Sequence, residues 1–276
     1  MTTGSGEPSG ATWGPNIGTP MPPERSAYHH GDLRNALIQA AIELAREGGP
    51  DAIQLRAITR KIGVTPRAAY RHFHNLEALV EAASIEGFRL MALEMDKGVQ
   101  KVCAEVDPSS RARARTFAVG RAYISFALHQ SGLFETAFFG PATIHSSRRP
   151  ETEGDMGLTP YGHLIAALEE MRDTGQIPAE RLQRDATIAW SLVHGFSTLA
   201  IRGPLHMLPR EEALAMGEDL VIGLIDGMSN WPSNTEININ WRAAAATPES
   251  APSAGSADSA GPAPSAGSAP SATSGN

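Results

Sequence analysis

Between positions 54 and 74 the chain carries five bases, Arg56, Arg60, Lys61, Arg67 and Arg71, and no acid. The chain as a whole is different: 30 Asp and Glu against 23 Lys and Arg give the 276 residues a net charge of −7. A polyanion is therefore repelled by most of the molecule and admitted at this one window. Groups that bond phosphates and base edges are interleaved with the bases. An arginine fork fits a guanine edge, and a tyrosine hydroxyl or a backbone N–H fits a phosphate oxygen. The expected readers of double-stranded DNA are Thr65, Pro66, Arg67, Tyr70, Arg71 and His72, with Tyr70 assigned to phosphate. The alternative is a helical hairpin whose arginines form only a solvated face.

Other chemistries lack their residues. There are nine histidines, but no helical H-x-x-x-H or HExxH pair, and His29-His30 and His72-x-His74 have no thiol or carboxylate at ligand spacing. Gly195-Phe196-Ser197-Thr198-Leu199 lacks the second glycine of a nucleophile elbow. Cys103 is the single cysteine, so neither an intramolecular disulfide nor a multi-cysteine zinc site is expected. The expectation is no enzyme, no cofactor and no metal. An all-α small-molecule-binding protein or enzyme without DNA binding is the competing possibility.

The elements that must position the basic window can be read from periodicity. Leu33, Ala36, Leu37, Ala40, Ala41 and Leu44 form one helical stripe, with Asp32 as its expected cap and Gly48-Gly49 as its stop. Leu55, Ile58 and Ile62 form a second, ending at Gly63, where a left-handed residue turns the chain sharply. Thr65 as N-cap and Pro66 at the first helical position predict a third helix over 66–73. Asn75 caps a fourth that runs through Leu79, Val80, Ala83, Phe88 and Leu90. Two short helices joined by a Gly63-Val64 turn make a helix-turn-helix, whose second helix enters the major groove. Further helical patterns cover 111–129, 133–139, 161–173, 181–201 and 211–228, separated by prolines. The fold class is all-α, with about nine helices.

Residues 1–27, rich in Gly and Pro, read as a disordered arm, and 232–276, with PSAGSA at 252–257 and again at 264–269, as a disordered Ala/Ser/Pro/Gly tail. Between them lie a DNA-binding domain over 28–76, with a net charge of +3, and a second domain over 77–231. No signal peptide or membrane span is evident, so a cytoplasmic protein with no membrane partner is expected.

The run from Leu55 to Phe73, followed by Glu77-Ala78-Leu79, resembles the DNA-binding domain of TetR-type transcriptional regulators, with the glycine turn, Tyr70 and Phe73 at the family's spacing. Tyr28-His29-His30-Gly31-Asp32-Leu33-Arg34 and Gly120-Arg121-Ala122-Tyr123-Ile124-Ser125-Phe126-Ala127 resemble one subgroup. Trp190-Ser191-Leu192-Val193-His194-Gly195 matches the Trp-His-Gly pattern for which that subgroup is named. The resemblance extends the DNA contacts to Gln54 and Arg56. Two positions depart from it: Leu76 stands where the family often has Lys and cannot supply a cationic phosphate contact, and Gln54 stands where Thr is common.

What the resemblance implies for the second half is a homodimer that binds a small-molecule effector, most simply a repressor of a pseudo-palindromic operator. Two apolar helices support the dimer: candidate interface residues are Val193, Ser197, Ala200, Leu220 and Leu224, with Gly195, Gly217, Gly223 and Gly227 allowing close approach. Core packing within one protomer explains the same pattern. Candidates for an effector pocket are Phe126, His129, Phe134, Phe138, Tyr161, His163, Trp190 and His194, a set that suits an apolar or aromatic ligand. Each is equally consistent with ordinary core. His194 has three available roles: ligand contact, a bond across the dimer, or a satisfied core histidine.

Overall fold

In the computed structural model the described residues are 32–102, 107–140 and 147–231. The expected arm over 1–27, the tail over 232–276, the motif residues Tyr28 to Gly31 and Cys103 lie outside them. Among the described residues there are nine α-helices and no strand, and none of the helices is long and apolar enough to cross a membrane.

The first, α1 (Leu33–Gly48), starts without a side-chain cap, because Asp32 makes no capping bond. Gly49, at φ +67°, takes the chain out of it. Helix α2 (Leu55–Ile62) ends on Gly63 at φ 71°, ψ 29°. Gly63 N–H donates to Arg60 O and Val64 N–H to Thr59 O, the paired bonds of a Schellman motif, which needs a left-handed residue at that glycine. The chain then enters α3 (Pro66–Ala69), where Thr65 Oγ1 accepts from Ala68 N–H. This helix is shorter than the 66–73 expected. Arg71 and His72 close three-residue bonds to Ala68 O and Ala69 O, a tightening of the last turn that brings Phe73 inward.

Asn75 Oδ1 accepts from Ala78 N–H at 2.8 Å and opens α4 (Leu76–Gln100). At 25 residues it is about 37 Å long, about twice the length that the Leu79 to Leu90 pattern marked. Beyond Leu90 the residues Met91-Ala92-Leu93-Glu94-Met95 are strong helix formers with no breaker, so nothing stops it there. The remaining helices are α5 (Pro108–His129), α6 (Ser131–Phe139), α7 (Pro160–Asp173), α8 (Leu182–Ile201) and α9 (Arg210–Asn230).

Helices α1 to α3 and the start of α4 enclose a small core of Leu37, Ala41, Ile58, Ala69, Phe73 and Leu79, all buried. The Arg34 guanidinium lies 5.2 Å from the centre of the Phe73 ring. In the larger bundle α5 is central, packed against α4, α7, α8 and α9. Two contacts join the parts: α4 passes through both, and α6 packs on α1. At the second contact a Cβ on Gly132 would lie 1.9 Å from Ala45 O, so only glycine permits the approach. Arg46 Nε donates to Gln130 Oε1 beside it. Glu135 on α6 comes within reach of Gly49 and pairs with Arg202 at the end of α8.

Two buried ionic groups fasten the bundle. Asp96 on α4 has one oxygen 2.8 Å from His163 Nε2 on α7 and accepts on the other from Asp155 N–H at 2.7 Å. Arg181 lies 2.9 Å from Asp185 and donates to Met228 O and Trp231 O, satisfying carbonyls that the end of α9 leaves free.

Candidate nucleic-acid interface and ligand cavity

The geometry of the basic window follows from which residues its small core claims. Ile58, Thr59, Ala69 and Phe73 are buried and Leu55 and Ile62 half-buried, so the basic residues of α2 and α3 turn outward. Gln54, Arg56, Arg60, Thr65, Pro66, Arg67, Tyr70, Arg71 and His72 are all exposed, and Tyr70 retains 54% of its surface. Lys61 is occupied by Glu43 at 2.9 Å, a contact that raises the ammonium above its usual range. Arg56, Arg60, Arg67 and Arg71 have no ion-pair partner among the described residues. Most other arginines in the fold do: Arg89, Arg113, Arg115, Arg121, Arg149, Arg172, Arg181 and Arg202 each meet a carboxylate. Leu76 is half-buried against the core of the helix-turn-helix, which explains why an apolar residue is accommodated there.

A cavity opens inside the larger bundle, with an empty volume, mouth included, of about 900 Å³. Phe88 and Met95 of α4, Val119 and Tyr123 of α5, Phe138 of α6, Leu164 of α7, Val193 of α8 and Val221 of α9 supply apolar walls. Of the expected pocket residues, Phe138, Tyr161 and Trp190 line it. Phe126 and Phe134 are buried outside this lining, Phe134 with its ring centre 5.6 Å from that of His194. His163 is buried against Asp96, and burial pushes its imidazole below the ordinary value. His129 sits on the surface with Nδ1 2.8 Å from Ser125 O.

His194 stands one layer behind the wall. Its Nδ1 is 2.8 Å from the Tyr123 hydroxyl. Burial pushes the Tyr123 phenol up and His194 down, so each is held in its neutral form and one donates to the other. Phe138 and Trp190 rings flank the imidazole at 4.9 and 6.3 Å. The sequence reading left Phe88, Met95, Leu164 and Arg148 out of the pocket set. For the first three a helical apolar stripe is the same signal whether it faces a cavity or a packed core, and Arg148 follows a proline-containing connection with no periodicity to place it.

The dimer candidates separate. Val193, Ser197 and Ala200 are buried within the protomer, a correction to their expected place at an interface: they form the inner stripe of α8. Gly217 likewise faces inward, where a Cβ would meet Phe196 and Ile124. Leu220 is exposed and Leu224 half-buried at the cavity wall. The outward stripe of α8 is Ile188, Leu192, Gly195 and Leu199, and that of α9 is Met216, Leu220, Gly223 and Gly227. Both have the spacing i, i+4, i+7, i+11 of one helical face. A Cβ on Gly195, Gly223 or Gly227 would meet nothing within 4 Å.

Comparison with known proteins places these features in context. The model of "Bacterial regulatory proteins, tetR family" matches residues 37–83, and "Tetracyclin repressor-like, C-terminal domain" matches 116–219, together more than half of the chain. An uncharacterized HTH-type transcriptional regulator, YobS of Bacillus subtilis (strain 168), is 23% identical over 208 residues, 75% of this chain and 95% of its own. A protein of unknown function from Rhodococcus sp. RHA1 superposes with a TM-score of 0.55 at 26% identity, covering 73% of this chain and 97% of that one. The transcriptional regulator FadR from Bacillus subtilis, solved with stearoyl-CoA, gives 0.53 at 16% identity over 70% and 98% of the two chains, a likeness of fold.

Proposed function

The chain belongs to the TetR family of DNA-binding transcriptional regulators, and from that premise we propose that it acts as a homodimeric repressor of a pseudo-palindromic operator, released by a small-molecule effector. The DNA-binding domain ends near residue 76, and 77–231 binds the effector and the second protomer. Each protomer presents α3 to a major groove, with half-sites one helical turn apart or somewhat more. Arg67 and Arg71 reach base edges. Gln54, Arg56, Thr65 and Tyr70 hold the backbone, and Pro66 and His72 flank the contact. The observation that carries this reading is the set of four exposed arginines without carboxylate partners in a fold that pairs most of its others.

The outward stripes of α8 and α9, with three glycines open to close approach, support a four-helix interface between protomers. The cavity supports the effector site. Ligand binding there favours a dimer whose reading heads are wrongly spaced, by as much as its affinities for the two states differ. Acting on the chromosome, such a regulator works in the cytoplasm, and we assign it no catalytic step and no cofactor.

Genomic SELEX with the purified full chain tests the proposal. Enrichment of a palindromic site is expected, with affinity that falls steeply as salt rises because phosphate counterions are released. On that site Arg71→Ala and Tyr70→Ala should each weaken binding by about tenfold. Enrichment of no palindrome, or affinity indifferent to salt, would favour an all-α ligand-binding protein without DNA.

A further inference from the structure

The cavity carries a charge asymmetry that selects its ligand. Among its described lining residues Arg148 is the one ionisable group that bears charge near neutral pH, and there is no carboxylate. Arg148 is exposed at the rim, 5.6 Å from the centre of the Tyr161 ring. It has no ion-pair partner among the described residues, whereas its neighbour Arg149 is taken by Glu81 at 2.8 Å. Two acids on helices that line the cavity are engaged elsewhere: Asp96 of α4 with His163, and Glu170 of α7 with Arg115. Pro160 and Tyr161, the first residues of α7, also line the cavity, so the positive end of that helix dipole adds to the field of Arg148.

The walls are mostly apolar and aromatic, with Thr116, Ser147, the Tyr123 and Tyr161 hydroxyls and the Trp190 indole N–H as polar points. The Tyr123 hydroxyl is engaged with neutral His194. An anion cannot be solvated in this interior, but it can be met at the mouth by a guanidinium that offers two parallel N–H donors. We propose that the effector is an amphipathic organic carboxylate, its apolar or aromatic body in the cavity and its charged end paired with Arg148. Cationic amphiphiles are disfavoured, since no carboxylate stands among the described lining residues and Arg148 repels them. This inference rests on the reading of the cavity as the effector site.

Three probes that share one body and differ in the head test it: 6-phenylhexanoate, 6-phenylhexanamide and 5-phenylpentyltrimethylammonium, titrated into the full-length protein by calorimetry. The carboxylate should bind about five- to tenfold tighter than the amide, with the ammonium weakest. Arg148→Ala should erase the lead of the carboxylate and leave the affinity of the amide unchanged. Arg148 lies on the surface outside the core, so the variant retains its fold. A carboxylate with no lead, or a lead that survives Arg148→Ala, would overturn the proposal while leaving the cavity as a ligand site. Binding of none of the three would remove the cavity reading and this inference with it.

Discussion

At the scale of single residues the fold treats its charged groups in two ways. Inside the bundle Asp96 and His163 face each other with almost no exposure, and burial lowers the pKa of the histidine from 6.5. The direction fixes a pH dependence. The folded state resists protonation of His163 and the unfolded chain does not, so this contribution to stability is intact above about pH 6.5 and is lost as pH falls below it. His194, depressed by the same burial, acts in the same sense. The midpoint of thermal unfolding should therefore drop between pH 7.5 and 5.5, and His163→Gln, though less stable at pH 7.5, should show a smaller drop. Calorimetric scans at the two pH values decide it, and an equal drop in both proteins would count against the buried histidine as the cause. Neither Asp96 nor its partnership with His163 was visible in the sequence. The pair joins positions 67 residues apart, and no local pattern announces a contact at that distance. The basic window was legible because everything it needs is local: Gly63, Thr65, Pro66 and Asn75 each act within four residues of themselves.

At the scale of elements the same division explains what periodicity could and could not orient. Helix α8 is apolar around most of its circumference, so its sequence does not say which stripe faces inward. Val193, Ser197 and Ala200 took the inner one, leaving Ile188, Gly195 and Leu199 outside. The end of α3 and the length of α4 were misjudged for a related reason: the larger spaced positions mark which residues are buried, not where backbone bonding stops. Glycine positions allow a sharper test of the packing between elements. Gly132→Ala puts a methyl 1.9 Å from Ala45 O and must push α6 off α1, at a cost of about 1–3 kcal/mol. Gly195→Ala meets open space and replaces the poorest non-proline helix former with the best. Thermal denaturation under conditions that keep the protein monomeric should show the first variant destabilised and the second unchanged or slightly stabilised. Operator affinity should fall with Gly132→Ala as well, because the displaced contact is among those that join the reading head to the bundle.

For the whole molecule the proposed partner is a second copy. Met216, Leu220, Gly223 and Gly227 give α9 an exposed apolar face that a solvated monomer gains nothing by keeping. Leu220→Glu places a charge on that face without touching the protomer core. It should yield a monomer in size-exclusion chromatography with light scattering, and operator affinity should fall by about a hundredfold or more as the second head ceases to be tethered. A monomeric wild-type protein at micromolar concentration would remove the dimer from the scheme.

The inner faces of α8 and α9 line the cavity through Trp190, Val193, Val221 and Leu224, while their outer faces carry the exposed stripes. In the proposed dimer, ligand and partner press on opposite sides of one partition, and that partition is a single helix, about 10 Å, thick. Close-packed interiors transmit displacement instead of absorbing it. Whatever fills one cavity would therefore load the back of the surface proposed to meet a second protomer, and the two cavities of such a dimer would be separated by only two such layers. In such a dimer occupancy would become a property that the protomers share, and the first ligand to arrive would alter the terms on which the second is received.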